Sequence, residues 1–149
     1  VALARDQERD LRAHLFGATP TGESLAVQLR NAVDTVARRH EIEIGAVLAS
    51  DLPDRSSELA AALAGATAEA LTNAAKHANA TRVSVYAEPD DDDGVVCTVH
   101  DNGDGFDVDA PRTGVGIAGS IEARLGEVGG QATITSTPGR GTDVRLWIP

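Results

Sequence analysis

Residues 66–78 read Ala-Thr-Ala-Glu-Ala-Leu-Thr-Asn-Ala-Ala-Lys-His-Ala, and they constrain the chain more than any other stretch because they form a helix with two distinct faces. On a 3.6-residue period Leu63, Ala66, Ala70 and Ala74 share one narrow apolar side. Glu69, Asn73 and Lys76 fall within roughly 60° of one another beside it. One face packs, and the adjoining one presents a carboxylate, an amide and an ammonium in a row. An amide oxygen is a hard ligand for Mg²⁺, a carboxylate holds water or acts as a base, and a lysine offsets phosphate charge. The trio therefore suits a metal-bound polyphosphate. Taken alone, the stretch is more simply an amphipathic helix with a polar rim, so the rest of the chain must decide.

Charge narrows the choice of ligand. A net charge of -10 and a pI near 4.7 argue against nucleic acid or an anionic membrane surface as partner, since both would repel the chain. A nucleotide polyphosphate would be repelled too, unless Mg²⁺ and local cations such as Lys76, Arg112 or Arg140 reverse the field at the site. Cation-dependent binding is thus expected. With aromatics at 3%, the core must be built from Ala, Val, Leu and Ile.

The 149 residues suffice for one domain with a proper core. No methionine occurs, even at position 1, so the chain reads as a fragment of something longer, with any membrane anchor of the full-length protein lying in the missing sequence. No apolar run approaches membrane-spanning length and no signal-peptide pattern is present. The fragment is expected to be soluble and cytoplasmic. The single Cys97, in a Val/Thr-rich strand, allows no internal disulfide and reads as a small core residue.

In chain order, residues 1–16 are expected to be helical, with Val1, Ala4, Leu11 and Leu15 on a loose heptad seam interrupted by Glu8. So short a seam reads as the end of a longer coiled coil or bundle. Residues 18–22, around Thr19-Pro20-Thr21, form a linker, leaving 23–149 as the domain proper. Leu25, Leu29, Ala32, Val33 and Val36 mark a helix over 25–40 that leads into a strand at 41–49. After a turn, Asp54 or Ser56 is placed to cap the long helix, which ends near Asn79. Strands follow at 82–87 and 95–100, joined by an acidic turn whose aspartates 90–93 read as a solvated hairpin tip. A last hairpin spans 131–136 and 142–148, with Val144, Leu146 and Ile148 on one side and Trp147 on the other.

Two glycine-bearing stretches sharpen the chemistry. In Asp101-Asn102-Gly103-Asp104-Gly105, the glycines let the backbone approach a flat ligand, while the carboxylate accepts from an exocyclic amine such as adenine N6. After a short loop at 107–113, Gly114-Val115-Gly116-Ile117 opens a helix with the stripe Ile117, Ile121, Leu125 and Val128. Glycines before a helix N-terminus expose N–H groups to an anion, a natural phosphate seat. The pattern is neither a Walker loop, since no Gly-Lys-Ser/Thr follows, nor a Rossmann fingerprint, since the third glycine is misplaced.

Four boxes now stand in order: Glu69/Asn73, Asp101-x-Gly103-x-Gly105, Gly114-x-Gly116 and Gly139-x-Gly141-Thr142. Their order and spacing over about residues 22–149 resemble the ATP-binding domain of sensor histidine kinases, the Bergerat or GHKL fold shared with gyrase, Hsp90 and MutL. The phrase Glu69-Ala-Leu-Thr-Asn73-Ala-Ala-Lys76-His77-Ala78 resembles in particular the subfamily whose response regulators carry LuxR-type DNA-binding domains. That resemblance implies an α/β (α+β) two-layer sandwich, with a mixed, largely antiparallel sheet covered on one face by helices. Residues 1–17 would be the end of the second helix of a dimerisation hairpin.

The resemblance also implies roles. Asn73 would be the Mg²⁺ ligand and Glu69 the catalytic group that orients or deprotonates the attacking atom. Asp101 would bind adenine N6, with Thr142 supporting it through water. Gly103 and Gly105 would let base and lid lie close, and Gly114, Val115, Gly116 and Ile117 would frame the phosphates with Lys76 near them. The implied reaction moves the γ-phosphoryl of ATP to a histidine, by positioning and charge neutralisation. The acceptor would lie on a helix absent here, since His14 is followed by Leu15-Phe16 rather than an acidic residue. His40, His77 and His100 read as surface or capping residues. The implied partners are ATP, the protein's own dimerisation helices in a homodimer, and a LuxR-type response regulator, with no direct contact to nucleic acid. The fragment itself is expected to be a monomer that binds ATP without autophosphorylating. An anti-sigma-factor serine kinase of the same fold would not be expected to carry the lead-in at 1–16. A gyrase- or MutL-type ATPase would need longer lid and transducer segments. A non-catalytic docking module would not need Glu69, Asn73 and Asp101 together.

Overall fold

Leu25, Leu29, Val33 and Val36 recur along one helical stripe, and in the computed structural model, which describes residues 23–107 and 114–149, they are the buried side of α1 (Leu25–His40). Ser24 caps that helix by accepting from the Val27 N–H at 3.2 Å. Asp54, read from the sequence as a possible cap of the next helix, instead accepts from the Leu25 N–H at 3.0 Å and so helps fasten the start of α1. Basic Arg38, Arg39 and His40 occupy the last turn of α1, where the helix dipole favours positive charge. The chain then enters β1 (Glu43–Leu48) and α2 (Ser57–His77).

Ser56 is the N-cap of α2, accepting from the Leu59 N–H at 3.3 Å. The buried side of α2 is dominated by small residues, Ala60, Ala62, Ala66, Ala70 and Ala74, punctuated by Leu63, Thr67 and Leu71. Alanines let the helix axis come close to its neighbours, which is how a chain so poor in aromatics closes its core. After α2 come β2 (Arg82–Pro89), β3 (Val95–Asp101), α3 (Gly114–Gly126), β4 (Gln131–Ser136) and β5 (Thr142–Ile148).

The five strands form one sheet in the order β1-β2-β3-β5-β4. β1 runs parallel to β2, as the intervening helix requires, and every other pairing is antiparallel. Along β2 the burial alternates, with Val83, Val85 and Ala87 inward. Along β5 Thr142, Val144, Leu146 and Ile148 are inward. These residues join Cys97 and Val99 of β3, the buried stripes of α1 and α2, and Ile121 and Leu125 of α3 in one core. The result is the α+β layering expected from the sequence, a mixed and mostly antiparallel sheet with helices against one face. The opposite face carries exposed Val47 and Tyr86. Trp147 lies on that face, opposite Val96 in the ladder and over Gly94 at the end of the β2–β3 hairpin.

Cys97 is buried in the core as read, and burial pushes its thiol up to about 11. The expected dimerisation helix at 1–17, the linker at 18–22, His14, and Arg112 with most of the 107–113 loop lie outside the described residues. Among the described residues no helix is long and apolar enough to cross a membrane.

Candidate functional site

β3 ends on Asp101, which faces the helices beside Val99 and is buried. Its Oδ1 accepts from the Gly103 N–H at 2.8 Å, closing a tight turn directly after the strand. The rest of the turn is held from two sides. On one side the end of α2 grips it: the Asp104 N–H donates to the Ala78 carbonyl at 2.7 Å, and Asn79 donates to the Asp104 carboxylate at 2.8 Å. Gly103 packs so tightly on the Ala78 backbone that a side chain there would overlap it.

On the other side the β4–β5 hairpin closes over the turn. The Gly139 N–H donates to the Asp104 carbonyl at 2.6 Å, and the Phe106 N–H donates to Ser136 Oγ at 2.8 Å. Gly105, at a φ of 65°, lies against the Thr137 and Gly141 carbonyls, and Gly141, at a φ of 78°, lies against the Asp101 carbonyl. Both need a left-handed backbone in a place with no room for a Cβ, so glycine is required twice over. The sequence read Gly103 and Gly105 as letting a ligand lie close, and in the fold their contacts also lock Asp101 in place.

Beside this turn opens a cavity of about 510 Å³, in the range usual for small-molecule sites. Its walls are largely apolar: Ala70, Ala74 and Ala78 of α2 and its end, Ile121 of α3, and Val99, Ile134 and Val144 of the sheet. Asn73, Asp101, Gly105 and Thr142, all anticipated from sequence, line it together. Asp101 and Thr142 are paired across the β3–β5 ladder, which places a carboxylate and a hydroxyl side by side on one wall. Burial raises the Asp101 carboxyl above the usual carboxylate range, opposed by the N–H groups of Gly103 and Thr142 and by nearby His100.

Glu69 stands one helical turn before Asn73 on α2. Its Oε2 and the Asn73 Nδ2 are buried without a hydrogen-bond partner. Arg124 of α3 comes to 3.7 Å of that Glu69 oxygen through its Nε, too far for a hydrogen bond. Orphaned polar atoms of this kind are costly unless something outside the chain satisfies them. Among the described residues no three His, Cys, Asp or Glu side chains gather as a metal cage. A magnesium carried by a polyphosphate needs no such cage, because phosphate oxygens and water fill most of its shell and one or two protein oxygens complete it. Asn73 would meet that demand through its Oδ1 with Glu69 behind it, while its orphaned Nδ2 is a donor that calls for an acceptor such as a phosphate oxygen.

Other anticipated residues are placed differently. Lys76 is exposed and does not line the cavity. Gly114, Val115, Gly116 and Ile117 form the first turn of α3, as read, and Ile121 on the same helix reaches the cavity. Among the polar and aromatic lining residues two were missed. His77, read as a surface or capping residue, is exposed and also borders the cavity, and its position four residues after Asn73 was signal enough. Phe106 also lines it, held there by its N–H bond to Ser136.

The sequence profile of the histidine kinase-, DNA gyrase B-, and HSP90-like ATPases matches residues 59–149. The chain is 37% identical over 83 residues to the sensor histidine kinase YdfH of Bacillus subtilis, covering 54% of this chain and 20% of that protein. It is 28% identical over 148 residues to the sensor histidine kinase LiaS of the same organism, covering 98% of this chain and 40% of that protein. The chain therefore spans less than half the length of these relatives. Among solved structures it resembles the histidine kinase domain of a blue-light activated kinase from Erythrobacter litoralis, with a TM-score of 0.72 at 21% identity over 100% of this chain and 75% of that one. It also resembles the mycobacterial sensor histidine kinase MprB, with a TM-score of 0.64 at 19% identity over 85% of this chain and 95% of that one. At those identities the structural likeness speaks for the fold.

Proposed function

Because the chain belongs to the histidine kinase-, DNA gyrase B-, and HSP90-like ATPase family, we propose that it is the ATP-binding domain of a sensor histidine kinase, taking Mg-ATP and passing its γ-phosphoryl to a histidine on a dimerisation helix. The observation that carries this reading is the pairing of buried Asp101 with Thr142 in an apolar cavity whose other polar wall, Asn73, has an unsatisfied amide. The apolar walls take the flat faces of a purine, and the ionised Asp101 accepts from its exocyclic amine. Asn73 offers its amide oxygen to Mg²⁺, which when bound supplies charge neutralisation to the phosphates. Glu69 is then placed to orient the attacking imidazole or take its proton, and Lys76 and the first turn of α3 supply positive potential.

The working protein is a cytoplasmic-domain kinase acting as a homodimer through a hairpin whose last turns are residues 1–17. It relays the phosphoryl group to a response regulator with a LuxR-type DNA-binding domain, and the support for that pairing is the phrase running from Glu69 to Ala78. The test is calorimetric titration of this chain with a non-hydrolysable ATP analogue, with and without Mg²⁺. Saturable binding that disappears in Asp101→Ala, and that loses its Mg²⁺ response in Asn73→Ala, supports the proposal. Absence of binding under every condition, including with the preceding hairpin attached, sinks it.

A further inference from the structure

The Ser136 hydroxyl, which does not line the cavity, meets three groups at once. It accepts from the Phe106 N–H at 2.8 Å, lies 3.1 Å from the Gly141 carbonyl oxygen, and lies 2.8 Å from Thr142 Oγ1. We infer that Ser136 is a positioning residue that sets base specificity, by fixing the Thr142 hydroxyl as an acceptor toward the cavity. The inference rests on the nucleotide-binding reading of that cavity.

Proton counting carries it. A serine hydroxyl has one proton and two lone pairs. The Phe106 N–H takes one lone pair. The Gly141 carbonyl has no proton to give, so its contact with Ser136 is made only if Ser136 donates to it. That leaves the second lone pair for Thr142, whose own proton must then point back at Ser136. In the alternative, with Ser136 donating to Thr142, the Gly141 carbonyl goes without the bond. Only the first arrangement satisfies all three contacts, and in it Thr142 Oγ1 shows the cavity lone pairs alone.

Thr142 stands beside Asp101, whose carboxylate is also an acceptor. Two adjacent acceptors call for a group with protons to give, such as a primary amine with its attendant water. A keto oxygen at the same position meets lone pairs on both and is rejected. The Ser136 hydroxyl thus makes the site select a 6-amino purine over a 6-keto purine. The same hydroxyl ties this selection to Phe106, through which the chain leaves the site toward residues 107–113.

The probes are ATP and ITP, which differ at that position by amine against keto oxygen. Their dissociation constants are measured for the wild-type chain, Ser136→Ala, Ser136→Cys and Ser136→Thr. With the hydroxyl gone, the Thr142 proton is free to turn toward a keto oxygen, so the ITP-to-ATP ratio of dissociation constants should fall about tenfold, the worth of one hydrogen bond. Ser136→Cys, which keeps the volume with a weak donor, should fall the same way if the alanine variant does not fold. Ser136→Thr, which keeps the hydroxyl, should retain the wild-type ratio. Equal losses for both nucleotides, an unchanged ratio in the alanine and cysteine variants, or a threonine variant that behaves like alanine would each overturn the inference. A wild-type chain that binds neither nucleotide would instead refute the nucleotide reading itself.

Discussion

Asp101 and Thr142 are register partners at the end of the β3–β5 ladder, and both turn toward the helices from positions that are nearly closed to solvent. Strand ends in an antiparallel sheet normally run out to water. Here the end is roofed by α2 and by the β4–β5 hairpin, so a carboxylate is kept in apolar surroundings at the rim of a cavity. The arrangement is costly to the fold and useful to a ligand that brings a proton donor.

The cost gives a prediction with a definite sign. The Asp101 carboxyl is raised above its ordinary value of 3.8, with burial the main cause. The folded state therefore holds that proton more tightly than the unfolded state does. The stabilising contribution of this group is present at low pH and is lost as pH rises from the ordinary value through the raised one. Asp101→Asn keeps the acceptor for the Gly103 N–H and removes the charge, so its thermal midpoint at pH 7 should be at or above that of the wild type. The two midpoints should converge near pH 3. The same substitution should weaken ATP binding by roughly tenfold to a hundredfold, since a hydrogen bond to a charged acceptor is lost. A midpoint well below wild type at pH 7 would refute the burial argument.

Glycines around the Asp101 turn separate two causes of intolerance. Gly139 has a φ of 81° but open space where a Cβ would go, Gly103 has no unusual φ but lies on the Ala78 backbone, and Gly141 has both a φ of 78° and the Asp101 carbonyl in the way. Gly139→Ala should cost about 1–2 kcal/mol, the price of a left-handed non-glycine residue. Gly103→Ala should cost about 1–3 kcal/mol from overpacking, and Gly141→Ala should exceed either. Urea unfolding of the three variants gives the order directly. Gly139→Ala should also retain nucleotide binding, because Gly139 touches the site only through its N–H bond to Asp104.

Asn73 and Glu69 carry orphaned buried atoms, and that makes their removal separable from folding. Losing a satisfied buried polar group destabilises, whereas losing an unsatisfied one is neutral or better. Asn73→Leu should therefore leave the urea midpoint unchanged or raise it, while abolishing the difference between ATP titrations with and without Mg²⁺. If the midpoint instead drops by more than about 1 kcal/mol in stability, Asn73 serves the fold through a contact of its own.

Much of this was legible beforehand, for reasons particular residues make plain. The stripes at Leu25, Leu29, Val33 and Val36 and along α2 follow a 3.6-residue period, and the strands alternate cleanly between Val83 and Ala87 and between Thr142 and Ile148, so element boundaries fell within a few residues of those observed. Asn73, Asp101 and Gly105, which meet at the cavity, each carry a local signal, a polar position on an apolar helix or a glycine-rich turn, whereas Thr142 was named through the family resemblance alone. What depended on distant pairing was not legible. Asp54 sits two residues before Ser56 in sequence yet fastens α1, because its partner is brought to it by the fold, 29 residues away. Ser136 looked like an ordinary strand end until β5 and the 101–106 turn met over it. Lys76 lies near Asn73 along the helix, but the end of α2 leaves it in solvent while His77 takes the cavity side.

Cys97 supplies a final test that links the core to the site. Its thiol is fully buried in β3, in contact with the Thr67 hydroxyl at 3.5 Å, and burial raises its pKa to about 11. A thiol-specific reagent at pH 8 should therefore modify it only in molecules that have opened, since neither access nor thiolate is available in the closed fold. β3 is paired on both sides, by β2 and β5, so exposing Cys97 requires the sheet to come apart and the Asp101 site with it. Nucleotide that binds only the closed form should scale the labelling rate with the fraction of chain left unliganded, slowing it by about a hundredfold at a free concentration one hundred times its dissociation constant. In Asp101→Asn, with its tenfold to hundredfold weaker binding, the same nucleotide concentration should slow labelling only about twofold to elevenfold. Labelling that is fast in the wild type and indifferent to ATP would mean that β3 opens locally, without dissolving the site that its last residue anchors.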